Sequence, residues 1–461
     1  MKRREFLKLL VARLTLAGMG IPLLAGCDEE GGEEGYGEGE SVIVVGGGMA
    51  GLSAARRLHD AGYAVTVLEG RDRLGGRIHT SRMWSDVPLD LGASWVHGID
   101  DNPLVALADE VGAERVTTDY DNHVVYDMDG EELDDETQDE IGEMVSDLRY
   151  LLIESQFYDE DYSLAEAVAE YLEEEELTAT DKRYINYFLN SVVEHEFAAD
   201  VSELSTQTLD GGDAFGGDDI IFKEGYGVLI DYLAEGLRIQ LNQIVHTIAY
   251  DEDDGVTVVT DKGEFEADYV IVTVPLGVLK KEKIKFQPPL PTDKQEAIHG
   301  LGMGLLNKAY LRFTRRFWPQ EYELMGYIGG TKGPWAEWVN MSHYFDKPIL
   351  LGFNAATYAR SLESLRDEAI VGDGMDVLRT IFGTGIPQPE SWQITRWGLD
   401  PFSFGSYSFP AVGTDGETRE SLAEAVAERL FFAGEATAEH QATVHGAYMS
   451  GQRVAEEIMD L

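Results

Sequence analysis

The chain has 461 residues, with 85 Asp and Glu against 36 Lys and Arg and a formal net charge of −49. Such a field repels nucleic acid and anionic membranes and attracts cations, so a polyanion-binding role is excluded. One cysteine, Cys27, rules out a disulfide framework, and no metal is expected.

The N-terminus reads as a targeting segment. In MKRREFLKLL, Arg3-Arg4 precede Phe6 and Leu7, the pattern of a twin-arginine export signal. The apolar run to Leu24 is interrupted by Arg13 and Pro22 and is too short to span a membrane. Leu24-Ala25-Gly26-Cys27 is similar to a lipoprotein processing box, with Cys27 the lipidation site. Residues 1–26 are therefore read as the export signal. Residues 27–40 are an acidic Gly/Glu tether with nothing to bury, able to hold the body roughly 20 Å from a lipid anchor. This expects a protein on the outer side of the cytoplasmic membrane, periplasmic or at the cell surface, touching lipid by its anchor only. Acid spread along the whole length favours salt adaptation over steering of a cationic substrate.

The remaining chain of about 420 residues exceeds a single core, which predicts two domains. Its most informative stretch is Val42–Arg77, VIVVGGGMAGLSAARRLHDAGYAVTVLEGRDRLGGR. It reads as strand, glycine turn, helix, second strand and terminal acid. Gly46, Gly48 and Gly51 occupy the three slots of a dinucleotide-binding turn: tight turn, close approach of a pyrophosphate, and helix–strand packing. The pyrophosphate would sit on the helix N-terminus, and Glu69 falls where a carboxylate meets a ribose hydroxyl. Gly75, Gly76 and Arg77 add a close backbone passage and a phosphate-neutralising guanidinium, which favours FAD over NAD. With no second cysteine for sulfur attachment, the flavin is expected to be non-covalent.

Beyond this unit, residues 85–100 are apolar and punctuated by glycine, and 101–205 read mainly as acidic helices. Residues 239–275 alternate between turns such as DEDDG and DKGE, which predicts a small antiparallel unit leading into the parallel sheet. A strand is expected over Lys308–Phe313, and its alternation places Leu306, Lys308 and Tyr310 on one face. The C-terminal segment reads as strand, loop and helix. The fold class is α/β with mixed α+β character: a Rossmann-like FAD-binding domain from 41–100, 221–296 and 420–461, interleaved with a substrate-binding domain of mixed sheet and helices from 101–220 and 297–419.

Eight motifs in order carry a resemblance: GGGMAGLSAA, LEGRDRLGGR, LGASWVHG, EFAADVSELST, TVPLGVLK, GLLNKAYLRF, RWGLDPFSFGSYSF and FFAGEATAEHQATVHGAYMSG. Together they resemble the FAD-dependent amine oxidases, a family that includes polyamine oxidases, monoamine oxidases and lysine-specific histone demethylases. The resemblance implies that Arg71 and Arg77 lie along the pyrophosphate, Ser94 and Trp95 beside the flavin, and Val245 by the adenine. It implies that Glu435 holds the ribityl or phosphate part, with Val444 behind the ring. Lys308 matches the family lysine that holds a water against flavin N5. Tyr407 matches one wall of an aromatic cage, whereas the opposite wall falls on Thr443, closer to the demethylase pattern. His97 is placed to tune amine protonation. Asp210, Asp213, Asp218 and Asp219 lie where family acids face the substrate channel, and Asp213 is the acid chosen for a distal ammonium.

The implied function is an exported amine oxidase acting on polyamines, with hydride transfer from the α-carbon to flavin N5 and O2 reduced to H2O2. The alternatives are an L-amino-acid or monoamine oxidase, a quinone-linked dehydrogenase or desaturase, and a non-catalytic polyamine-binding lipoprotein. Expected partners are a small amine and O2. The absence of an arginine in LGASWVHG ranks the amino-acid oxidase lower.

Overall fold

The computed structural model describes residues 39–155, 161–174, 177–207, 214–251 and 255–461. The export signal, Cys27, most of the tether, Asp210 and Asp213 lie outside the described residues.

A five-stranded parallel sheet builds the nucleotide-binding half. Its order is Leu430–Phe432, Tyr269–Val272, Ser41–Val45, Ala64–Leu68, Arg238–Gln240. Parallel strands are buried on both faces, and Val42–Val45 and Tyr269–Val272 accordingly read as unbroken apolar runs. Helix Met49–Asp60 returns from the first strand and packs against helix Val444–Met459. That contact is close because Gly451 has no side chain: a Cβ there would lie 2.3 Å from the Ala50 carbonyl oxygen. The expected antiparallel unit is present as Val245–Asp251, Gly255–Thr260 and Gly263–Ala267, followed directly by Tyr269–Val272 of the parallel sheet.

The second half centres on a six-stranded sheet ordered Ser391–Ile394, Leu306–Arg312, Ile349–Ala355, Glu337–Asn340, Leu324–Tyr327, His123–Tyr126. Its pairings are antiparallel except for the last. One face covers a core around the stacked indoles of Trp335 and Trp338, whose ring centroids are 5.1 Å apart. The other face carries Lys308, Tyr310 and Phe353 toward the segment 84–96. Trp95–Val96, Asp219–Phe222 and Arg115–Thr118 form a small sheet beside that segment.

Residues 101–205 depart from the mainly helical expectation. Helices such as Asp135–Ser155 and Leu164–Glu174 are there, but so are strands Arg115–Thr118 and His123–Tyr126. Each strand is four residues long, too short to show a period inside so acidic a stretch, and each is completed by a distant partner. A π-helical turn, Leu189–Glu194, delivers His195, Glu196 and Phe197 to the central cavity. Among the described residues, no helix is long and apolar enough to cross a membrane.

Candidate active site

A cavity of about 820 Å³ runs between the two sheets, from the glycine turn to Lys308. At its first end Gly46 adopts φ +117°, and a Cβ on it would lie 2.6 Å from Thr273 Oγ1. A Cβ on Gly51 would lie 2.0 Å from the Gly46 carbonyl oxygen, so both positions exclude side chains. Gly48 differs: a Cβ there would meet only Gly75 O, at 3.9 Å, which leaves the space over the turn open. Gly48 caps helix Met49–Asp60 without a side-chain bond, so the first-turn N–H groups remain available to an anion. Glu69 is buried at the end of its strand, one oxygen accepting the Gly47 N–H at 2.7 Å and the other the Arg71 N–H at 2.8 Å. Val245 lines the same end. This glycine cradle, an uncapped helix N-terminus and a buried acid fit the pyrophosphate and ribose of FAD.

Both arginines expected along the pyrophosphate line the cavity and are held by acids. Arg71 makes a bidentate pair with Asp400, two contacts of 2.8 Å, and lies over the Phe402 ring. Arg77 Nη1 donates to Glu435 Oε1 at 2.8 Å and to Ser406 O at 2.9 Å. Glu435 also accepts from Ser408 Oγ at 2.7 Å and from the Ala442 N–H at 3.2 Å. Burial pushes the Glu435 carboxyl up, but Arg77, Ser408 and Arg419 outweigh it and hold it below the usual range. Its oxygens thus accept from several protein donors, and Glu435 itself lines the cavity. Val444 and Gly76 complete this lining.

Lys308 occupies the other end. Its Nζ donates to Asp90 O at 3.1 Å, to Gly92 O at 2.6 Å and to Ser94 Oγ. It sits 5.3 Å from the Trp95 ring centroid and 5.9 Å from that of Phe353. Burial pushes the ammonium down to about 7, with Asp90 opposing that shift. The expected shared face is present: Tyr310, two residues on, donates its hydroxyl to Asp90 O at 2.8 Å. Lys308, Ser94 and Trp95 therefore meet around one loop.

His97 lines the cavity with its Nδ1 3.1 Å from Asp219 Oδ2. Asp219, expected as a channel acid, lines the cavity and holds His97 and the Gly98 N–H. The Tyr407 hydroxyl donates to His195 O at 2.7 Å, which fixes its ring on the wall. Thr443 lines the cavity, yet its hydroxyl is committed: it accepts the Gly446 N–H as the cap of helix Val444–Met459 and donates to His440 O.

Several cavity residues escaped the sequence reading. Phe215, His440 and His445 form a ring cluster with centroids 5.0–5.3 Å apart. His445 is pushed down to about 3 by burial and by His440 and His97. Glu337 is a buried carboxylate in cross-strand register with Phe353, which is itself in register with Lys308. Asp90 is buried behind Lys308. The motif EFAADVSELST did contain Glu196, an exposed acid on the cavity wall, but adjacent acids masked it.

Comparison with known proteins agrees with this geometry. Residues 49–459 match the family described as flavin containing amine oxidoreductase. The chain is 38% identical over 436 residues to polyamine oxidase 4 of Oryza sativa subsp. japonica, covering 90% of this chain and 88% of that protein. It is 37% identical over 462 residues to lysine-specific histone demethylase 1 homolog 2 of Arabidopsis thaliana, covering 95% of this chain and 60% of that protein. A solved putrescine oxidase bound to putrescine superimposes with a TM-score of 0.76 at 22% identity, over 92% of this chain and 99% of the other, a likeness of fold. The chain belongs to the flavin-containing amine oxidoreductase family and is an FAD-dependent enzyme that oxidises amines.

Proposed function

We propose that the chain is an exported polyamine oxidase. The observation that carries this reading is the row Lys308, Phe353, Glu337 across three adjacent strands facing the cavity. Directly opposed residues of antiparallel strands share a face, and two strand spacings separate the lysine from the carboxylate by roughly 10 Å. Apolar neighbours at the Lys308 end favour a neutral amine, while an acid farther along favours a second, charged nitrogen. Near full-length similarity to plant proteins named polyamine oxidases supports the same substrate class.

When bound, FAD supplies the hydride acceptor for the carbon beside the amine nitrogen and is restored by oxygen with release of hydrogen peroxide, the imine product hydrolysing to an aldehyde and a shorter amine. The chain's own residues bind and orient. The glycine turn and the N-terminus of helix Met49–Asp60 take the pyrophosphate, Glu69 the ribose, and Arg77 neutralises phosphate charge while Glu435 holds it in place. Tyr407 presents a fixed ring to the amine, and Thr443 offers its methyl group because its hydroxyl caps a helix. Lys308, with its ammonium near 7, holds or releases a proton at Nζ close to neutral pH. Export and lipid attachment at Cys27 rest on the N-terminal sequence alone.

Comparing kcat/KM for spermine, spermidine and putrescine with that for simple monoamines tests the substrate class. An advantage of about tenfold or more for the polyamines is expected, and parity would remove that part of the proposal. Cell fractionation of a Cys27→Ala variant tests the anchor: release from membranes is expected, and persistent association would argue against lipidation.

A further inference from the structure

Lys280, Lys281, Lys283 and Lys285 fall within six residues of a chain whose net charge is −49. Lys280 commits its ammonium to the carbonyl oxygens of His299 and Leu301, at 2.7 and 2.6 Å, and Lys281 and Lys285 are exposed. Lys283, also exposed, is the one of the four that lines the central cavity. Backbone pairing puts it there. Val245–Asp251 runs parallel to Lys285–Gln287, with Thr247 opposite Lys285 and Ile248 opposite Phe286. Two residues back along both segments, Lys283 comes beside Val245, at the end of the cavity that fits the adenosine of FAD.

The Lys283 ammonium lies over the Phe404 ring, 5.6 Å from its centroid. Phe404 has φ +54°, a left-handed conformation that a bulky residue keeps only where its surroundings enforce it. Here they do. The Ser403 and Phe404 N–H groups both donate to Asp400 O, at 3.1 and 2.9 Å, and the Gly405 N–H donates to Trp397 O at 2.9 Å. Gly277 leaves room for the loop, since a Cβ on it would lie 2.2 Å from Ser403 O. The same loop sets Phe402 against Arg71 and gives Ser406 O to Arg77. Lys283 therefore stands on one strip of wall with the two arginines.

Charge distinguishes it from them. Arg71 is paired with Asp400 and Arg77 with Glu435, so each pair offers donors without net charge. Glu69, buried on the same wall, adds a negative charge. Lys283 has no acid partner among the described residues. Without it the cofactor end would be net negative even before a dianionic pyrophosphate arrived.

We propose that Lys283 is a cofactor-binding residue whose ammonium engages the diphosphate of FAD at the mouth of the cavity, supplying the positive charge that the paired arginines do not. Phe404 positions it, supporting the apolar stem while its ring face attracts the ammonium. The inference concerns the cofactor alone and holds whichever amine is oxidised.

The test follows loss of FAD from the purified holoprotein by timed ultrafiltration, for the wild type and for Lys283→Gln, Lys283→Arg and Lys285→Gln. It is run from about 20 mM to about 1 M salt, where the Debye length falls to roughly 3 Å. At low salt Lys283→Gln should lose flavin about fivefold faster than the wild type, a change in keeping with one partly exposed charge pair. The ratio should approach one at high salt. Salt also screens repulsion from the acidic body, so the ratio of variant to wild type carries the result. Lys283→Arg should retain flavin as the wild type does, and Lys285→Gln, which removes the same charge outside the cavity, should change the rate less than twofold. Three results would overturn the proposal: no change in Lys283→Gln, an equal change in Lys285→Gln, or a loss independent of salt. The second would mean a general field effect and the third lost packing on Phe404. A wild type purified without flavin would count against the cofactor assignment itself.

Discussion

Lys308 and Asp90 bury opposite charges beside each other but touch through the backbone. Lys308 Nζ donates to the Asp90 carbonyl oxygen at 3.1 Å, while the Asp90 carboxylate turns away to Thr80 Oγ1 and the Tyr226 N–H. Burial pushes the lysine down to about 7 and the aspartate up to about 6, each partly held back by the other. The lysine proton is therefore loosely held at neutral pH, at the end of the cavity where Trp95 and Phe353 meet.

Lys308→Met should remove that proton site and leave the glycine cradle intact. The expected outcome is normal flavin content with at least about a hundredfold loss in amine oxidation or in reoxidation by oxygen. Stopped-flow measurement of the two half-reactions separates them, and unchanged rates in both would remove Lys308 from the chemistry.

Asp90→Asn tests the cost of the buried carboxylate. Because its folded pKa, about 6, lies above the reference of 3.8, wild-type stability is lost as pH rises through that window. The variant keeps acceptors for Thr80 and Tyr226 and carries no such loss. Its stability relative to wild type should be unchanged below pH 4 and should rise between pH 4 and 6 to a gain of about 3 kcal/mol. Denaturant titration at three pH values measures it, and a pH-independent difference would contradict the assignment.

The cofactor cradle was legible because it is contiguous: Gly46, Gly48, Gly51 and Glu69 lie within one strand–turn–helix–strand unit, where local spacing determines geometry. Lys308 was legible through strand alternation and the motif around it. Glu337 and Asp90 were not, since a carboxylate in so acidic a chain becomes distinctive only once cross-strand register or burial sets it apart. His97 and Asp219 were each noticed separately, but nothing local links residues paired by strands more than a hundred positions apart. Thr443 reads in its motif as the non-aromatic wall of the cage, and only the structure shows its hydroxyl committed as a helix cap.

Glu337→Gln should raise KM for α,ω-diamines and polyamines by about tenfold or more while leaving simple monoamines unaffected. A wild-type preference for one diamine chain length should flatten in the variant. Equal effects on diamines and monoamines would show a general packing defect and not a site for the second nitrogen.

Glu435→Gln should weaken cofactor retention. Removing one partner from a buried charge pair costs about 3–5 kcal/mol, and Arg77 would be left without its 2.8 Å acid contact. Flavin released on ultrafiltration and the unfolding temperature of the holoprotein should change together. Full retention of flavin would mean that Arg77 does not need Glu435 to hold its place.

Anaerobic mixing of the purified holoprotein with spermine, spermidine, acetylated polyamines, monoamines and amino acids, while watching the oxidised flavin band, tests the account most directly. Bleaching by the polyamines, followed by hydrogen peroxide when air is admitted, is the predicted result. Bleaching without peroxide would contradict the oxidase assignment in favour of another electron acceptor, and no bleaching by any amine would contradict the account at its centre.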